Sequence, residues 1–253
     1  MVAVGKTDIG KKRKHNEDDF FVSTIEFGPL PNICIVADGM GGHKAGSYAS
    51  KTAITSLCSF VEEHHEVSLE SDDDIIQFLK RAITHVNYKL YTKSESDSQY
   101  KGMGTTLTVA TVVEGVLYTA HVGDSRLYTI GDRGMNQITK DHSLVQEMLS
   151  EGVISNSEAK EHPKRHVITR AVGTYEKVQV DTYSSSLEGV RYIFLCSDGL
   201  TNMLSDEEIY NIIIRDAGLE EKVDELIVFA NERGGVDNIT VILAIYDKAV
   251  KVC

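Results

Sequence analysis

Ile33-Cys34-Ile35-Val36-Ala37-Asp38-Gly39-Met40-Gly41-Gly42-His43 runs from a continuous apolar segment into one acid and then into three glycines within four positions. An apolar run without alternation predicts a strand buried on both faces. Asp38 then stands where the strand ends. A lone carboxylate there is costly unless something positive meets it. The glycines allow a sharp turn and the close approach of a ligand. The stretch therefore predicts that Asp38 holds a metal ion beside a loop that presents backbone groups.

Outward from this stretch, Asp19 to Phe27 reads as a preceding strand, with Gly28-Pro29-Leu30-Pro31-Asn32 as the turn between the two. After the glycines, Ala49, Ala53, Ile54, Leu57 and Val61 recur at helical spacing, which predicts a helix from about Gly46 to Glu63. A second helix starts at about Asp72, with Ile75, Ile76, Leu79, Ile83, Val86 and Leu90 on one face. Asp72, Asp73 and Asp74 suit its positive N-terminus and need no metal. Thr105 to Val113 and Val116 to Val122 form a hairpin around Glu114-Gly115, and Arg126 to Ile130 and Met135 to Ile138 form another. Ser143 with Gln146, and Ser205 with Glu208, have capping-box spacing. Strands follow at Val178 to Tyr183, Arg191 to Cys196 and Ile239 to Tyr246, with two helices ahead of the last. Blocks of strands alternate with pairs of helices, which predicts an α+β layered domain with antiparallel sheets and outer helix pairs.

Four other places repeat the setting of Asp38. Asp198 ends an apolar run and precedes Gly199, and Asp124 lies within Val122-Gly123-Asp124-Ser125-Arg126. Asp237 follows Gly234-Gly235-Val236, and Glu17 and Asp18 precede the first strand. One acid beside glycine is ordinary turn chemistry. Should several such ends converge, their carboxylates repel each other unless cations lie among them. Hard oxygen donors suit Mg²⁺ or Mn²⁺, and no cysteine–histidine or H-E-x-x-H pattern points to zinc. Two such ions acidify a bridging water and neutralise a phosphoryl group, and Arg13 offers a guanidinium for phosphate oxygens.

With 26 basic against 38 acidic residues the net charge is −12, which argues against nucleic acid or an anionic membrane as the main partner. No apolar run is long enough to span a bilayer. Residues 1–10 show no secretory h-region, and Cys34, Cys58, Cys196 and Cys253 are widely spaced. Reduced thiols in a cytoplasmic protein are the expectation, with Cys34 and Cys196 as plain core residues.

Seven ordered motifs resemble one family across roughly Thr7 to Tyr246. They are Arg13-x-x-Asn16-Glu17-Asp18, Val36 to His43, Gly102-Met103-Gly104-Thr105-Thr106, His121 to Arg126, Thr139 to Ser143, Leu195 to Leu200, and Gly235 to Thr240. The chain resembles the bacterial metal-dependent serine/threonine protein phosphatases, the PPM or type-2C-like family. The resemblance implies a single domain over residues 1–253, a four-layer α/β/β/α arrangement whose central β-sandwich is flanked by helix pairs. It implies that Asp38 bridges two Mn²⁺ or Mg²⁺ ions, with the Gly39 carbonyl on the first and Asp198 and Asp237 on the second. Glu17 and Asp18 support the cluster directly or through water, Arg13 binds the substrate phosphate, and a third ion lies near Asp124 and Asp198. About Leu144 to Gly173 corresponds to a flap. The implied substrates are phosphoproteins, opposite a bacterial serine/threonine kinase, and a monomer is expected.

Met40 stands where some relatives carry a histidine that can donate a proton. The proton must then come from a metal-bound water or from His43, whose alternative role is loop packing. His121, inside a strand, reads as a hydrogen-bonded structural residue. His162-Pro163-Lys164-Arg165-His166 is basic within an acidic chain and either guides phosphopeptides or is a solvated loop. A nucleotide-binding reading fails because Lys44 stands where the dinucleotide fingerprint needs its third glycine, and no P-loop occurs. A catalytically dead phosphoprotein scaffold should have lost metal acids, yet Asp38, Asp198 and Asp237 are all present.

Overall fold

The computed structural model describes residues 1–131 and 133–246, apart from the side chains of residues 43, 156, 160 and 161. In chain order the elements are β1 (Val2–Asp8), β2 (Asp18–Ser23), β3 (Ile33–Met40), the helices α1 (His43–Glu63) and α2 (Asp72–Ser96), β4 (Gly104–Thr105), β5 (Leu107–Val113), β6 (Val116–Val122), β7 (Arg126–Gly131) and β8 (Gly134–Gln137). Then come α3 (Leu144–Ser150), α4 (Asn156–Glu161), β9 (Asp181–Ser186), β10 (Val190–Cys196), α5 (Asp198–Thr201), α6 (Asp206–Ile214), α7 (Leu219–Glu232) and β11 (Ile239–Ile245). The strands form two antiparallel sheets. One has the order β1-β11-β10-β7-β8, the other β2-β3-β5-β6-β9 with β4 on β3.

Strand alternation sorts the continuous apolar runs into three cores. Ile33, Ile35 and Ala37 of β3 pack with α1 and α2, while Cys34 and Val36 point the other way. In β10, Tyr192, Phe194 and Cys196 pack with α6 and α7, while Ile193 and Leu195 meet Cys34 and Val36 between the sheets. The result is helix pair, sheet, sheet, helix pair, as the α+β expectation has it. Cys34 and Cys196 are buried and unpaired, as expected, and Cys253 lies outside the described residues.

Helix starts follow the capping signals closely. Ser71 and Asp74 cap α2 reciprocally, with Asp72, Asp73 and Asp74 in its first turn, and Ser205 and Glu208 do the same for α6. Ser143 makes only half of its box, accepting from Gln146 N at 3.4 Å.

Several boundaries differ from the sequence expectation. The first expected strand, Asp19 to Phe27, is the shorter β2, and α1 begins at His43 rather than Gly46. The strand expected over Val178 to Tyr183 lies three residues later, where its ladder to β6 runs from Asp181 to Ser186. The expected strand Thr105 to Val113 is broken at Thr106 into β4 and β5. β1, α4 and α5 are unforeseen. β1 carries Gly5, where a Cβ would lie 2.4 Å from the Phe20 ring, so a glycine that looks like a breaker permits close packing instead. The tip of the β7–β8 hairpin, residue 132, lies outside the described residues.

Asn32 extends the sheet where β3 has not yet begun. Its amide donates to Val112 O at 2.8 Å and accepts from Val112 N at 2.9 Å, and its own carbonyl accepts from Thr111 Oγ1 at 2.7 Å. Asn32→Ala strands two buried backbone groups, so urea unfolding should show a loss of about 2–4 kcal/mol. A loss below about 0.5 kcal/mol contradicts this assignment of the amide.

Candidate metal centre

The β2–β3 register sets Asp18 directly opposite Asp38. Asp18 is buried, and its Oδ2 accepts hydrogen bonds from the other sheet, from Ser197 Oγ at 2.7 Å and Thr240 Oγ1 at 2.6 Å. Ser197 Oγ also accepts from Thr240 N at 3.0 Å, so β10 and β11 close around this one carboxylate. Its Oδ1 is buried with no hydrogen-bond partner among the described residues.

Asp38 is clamped through its backbone. Its carbonyl accepts from Thr105 Oγ1 at 2.9 Å and Thr106 N at 2.8 Å, and its N–H donates to Thr106 Oγ1 at 2.9 Å. These bonds account for the break between β4 and β5. Thr106 Oγ1 also bonds Ser125 Oγ at 2.8 Å, beside Asp124. Asp124 is 6% exposed, and its Oδ1 too is buried without a hydrogen-bond partner among the described residues.

Asp198 opens α5 and accepts from Asn202 Nδ2 at 2.9 Å. Asp237 Oδ2 accepts from Arg13 Nη2 at 2.7 Å. Arg13 Nη1 also lies 3.8 Å from Glu17 Oε2. Asn238 fastens the segment before β2, accepting from Glu17 N at 2.8 Å and donating to Ile9 O and His15 O at 2.9 and 3.0 Å.

Gly39 corrects the turn reading. It lies within β3, and the positive φ values fall at Gly41 (+124°) and Gly42 (+83°). What Gly39 requires is space, because a Cβ there would lie 2.1 Å from Gly46 O and 2.6 Å from Glu17 O.

Arg13, Glu17, Asp38, Asp198 and Asp237 line a cleft of about 550 Å³, and Asp18 and Asp124 lie behind it. Burial first, then the charges of Asp18, Asp198, Asp124 and Asp237, hold the Asp38 carboxyl well above the ordinary range. Burial pushes Asp18 up to about 7 despite the hydrogen bonds from Thr240 and Ser197. Asp124 is raised by burial and by Asp198, and Asp198 by burial and by Asp237. Buried acids so close together hold protons when nothing else neutralises them.

The residues fit hard divalent cations. The donors are all oxygen, and two buried carboxylate oxygens, on Asp18 and Asp124, have no hydrogen-bond partner among the described residues. No three His, Cys, Asp or Glu side chains among the described residues already converge on one point.

Other expected residues divide. His121 is buried, its Nδ1 lies 2.9 Å from Thr108 Oγ1, and burial lowers its pKa to about 3, so it is a neutral structural ring as expected. The His43 side chain, read as a possible proton donor, lies outside the described residues. Met40 lines the cleft. The segment from Leu144 to Gly173 holds α3 and α4; Leu144 N on Val167 O at 2.9 Å closes it on itself, and Thr169 N on His142 O at 2.8 Å and Val172 N on Thr105 O at 2.9 Å fasten its C-terminal part to the rest of the chain. From it His166 and Ile168 reach the cleft. Sequence reasoning missed Thr105, Thr106, Ser197, Thr240 and Asn238 as the groups that hold the acids, although each stands within a quoted motif.

Residues 5–244 match the family model described as Protein phosphatase 2C. The chain belongs to the protein phosphatase 2C family. A serine/threonine phosphatase of Listeria innocua is 42% identical over 243 residues, covering 96% of this chain and 95% of that protein. Protein phosphatase PhpP of Streptococcus pneumoniae is 38% identical, with 94% of each chain covered. The crystal structure of serine/threonine phosphatase Stp1 from Staphylococcus aureus superimposes with a TM-score of 0.89 at 36% identity, covering 97% of this chain and 94% of that one. The phosphatase 2C resemblance of the seven motifs therefore holds over nearly the whole chain.

The raised carboxyls have a thermodynamic consequence. The folded state holds protons on Asp18 up to about pH 7, against an ordinary value of 3.8, so this contribution to stability is complete below about pH 4 and is lost as pH rises towards 7. A cation bound beside Asp18 would remove the loss. The gain in Tm that Mn²⁺ gives chelator-stripped protein should therefore grow from about pH 5 to pH 7. A gain that is constant across this window contradicts the assignment.

Proposed function

We propose that this protein phosphatase 2C family member hydrolyses phosphoserine and phosphothreonine in proteins, reversing a serine/threonine kinase. The observation that carries the reading is the set of strand-end carboxylates gathered at one cleft, with the buried Asp18 and Asp124 each keeping one oxygen without a hydrogen-bond partner among the described residues, and with a guanidinium at the cleft mouth. In this reading Asp38, with the Gly39 carbonyl, would hold a first Mn²⁺ or Mg²⁺ ion, and Asp38, Asp198 and Asp237 would hold a second. Asp124 and Asp198 would hold a third, and Glu17 and Asp18 would support the cluster directly or through water. Bound there, the ions supply a water acidic enough to attack and neutralise charge on the phosphoryl group.

The chain's own residues do the rest. Arg13 keeps 46% of its side chain exposed while Asp237 orients it, so its remaining donors are available to phosphate oxygens. Thr105 and Thr106 fix the Asp38 backbone, and Ser197 and Thr240 fix Asp18, so the carboxylates keep their places while the substrate enters. Residues 1–253 act as one catalytic domain, with residues 144–173 as the flap over the cleft. A monomer is proposed. Free thiols at Cys34, Cys58 and Cys196 support a cytoplasmic setting.

With Mn²⁺ the protein should release phosphate from a phosphothreonine peptide without a phosphoenzyme intermediate, and chelator should stop it. Asp38→Asn and Asp198→Asn should each lower kcat at least about a hundredfold. Undiminished turnover by metal-stripped protein, or by either variant, sinks this reading.

A further inference from the structure

The chain is acidic overall, yet its two densest basic segments meet at one cleft. Lys11-Lys12-Arg13-Lys14-His15 places five basic residues in a row, and His162-Pro163-Lys164-Arg165-His166 places four in five. All five residues of the first segment are exposed, as are Lys164, Arg165 and His166 of the second. Arg13, Lys14 and His15 line the cleft from one segment and His166 from the other, while Lys11 lines a neighbouring groove with Asp8, Asp224 and Glu232.

The first segment is not a loose loop. Lys11 N and Lys12 N donate to Gly235 O at 2.7 and 3.1 Å, and Asn238 Nδ2 binds Ile9 O and His15 O on either side of it. Gly10, at φ +77°, leaves no room for a Cβ, which would lie 2.1 Å from Asp237 O. The strip is therefore anchored to the loop that carries Asp237. Arg13 is engaged by Asp237, but Lys11, Lys12 and Lys14 form no ion pair among the described residues.

A body of net charge −12 repels an acidic partner over most of its surface. A fixed basic strip at a cleft mouth reverses the sign locally and focuses the field there. Screening limits its reach to about 8–10 Å, which at about 3.3 Å per extended residue is some three residues to either side of the phosphorylated one. We propose that Lys14, with Lys12 beside it in the same strip and His166 of the flap segment across the same cleft, selects phosphoserine or phosphothreonine segments flanked by acidic residues. This specificity rests on the phosphatase reading above.

The test uses three phosphothreonine peptides that differ only in having acidic, neutral or basic residues within three positions of the phosphothreonine. With Mn²⁺ present, kcat/KM for the acidic peptide should exceed that for the neutral one about tenfold at low salt. The ratio should fall towards one in 0.5 M salt and in the Lys12→Ser/Lys14→Ser variant, and the corresponding double arginine variant should keep it. Equal kcat/KM for acidic and neutral peptides in the unaltered protein, or a preference that survives the serine substitutions, overturns the inference and leaves the phosphatase reading standing. Failure to hydrolyse any of the three peptides overturns both.

Discussion

A buried carboxylate, Asp18, ties the two sheets together at the end of the sandwich where the cleft lies. It belongs to β2 and faces Asp38 across the ladder, yet both bonds to its Oδ2 come from the opposite sheet, from Ser197 and Thr240. These bonds alone do not neutralise it, because burial still raises its pKa to about 7. Asp38, Asp124 and Asp198 are raised as well, each chiefly by burial and then by the others or by a neighbouring acid. Packing of three apolar cores brings these acids to one end of the sheets, and like charges held so close require protons or cations. The same feature that weakens the fold without ions creates affinity for them.

The acids themselves were legible because Asp38, Asp124, Asp198 and Asp237 follow an apolar run or a glycine turn and Glu17 and Asp18 precede a strand, so strand geometry alone puts them at strand ends. The layers were legible too, since the continuous runs at Ile33 to Ala37 and Tyr192 to Cys196 demand cover on both faces. What holds the acids was not. Thr105 reaches Asp38 across 67 positions of sequence and Thr240 reaches Asp18 across 222, and such pairings carry no local signal. Gly39 was misread because a glycine needed for space looks the same in sequence as one needed for a turn. β1 was hidden because Gly5 interrupts its pattern, although the ladder to β11 runs from Val2 to Asp8. His166 became part of the cleft only through the path of the flap segment.

The charge distribution has two levels. The floor of the cleft is acidic and suited to cations, and its rim is basic and suited to anions. In the proposed reading a phosphorylated segment would meet the rim first and the floor only through bound ions. Arg13 belongs to both levels, since it lies in the basic strip and is oriented by Asp237 of the floor.

The central claim is that these carboxylates hold the ions. Electron paramagnetic resonance can count Mn²⁺ bound to the unaltered protein and to Asp38→Asn at matched free metal. The expected result is at least two ions per chain in the unaltered protein and the loss of that binding in the variant. Equal stoichiometry and affinity in the two proteins would contradict the account.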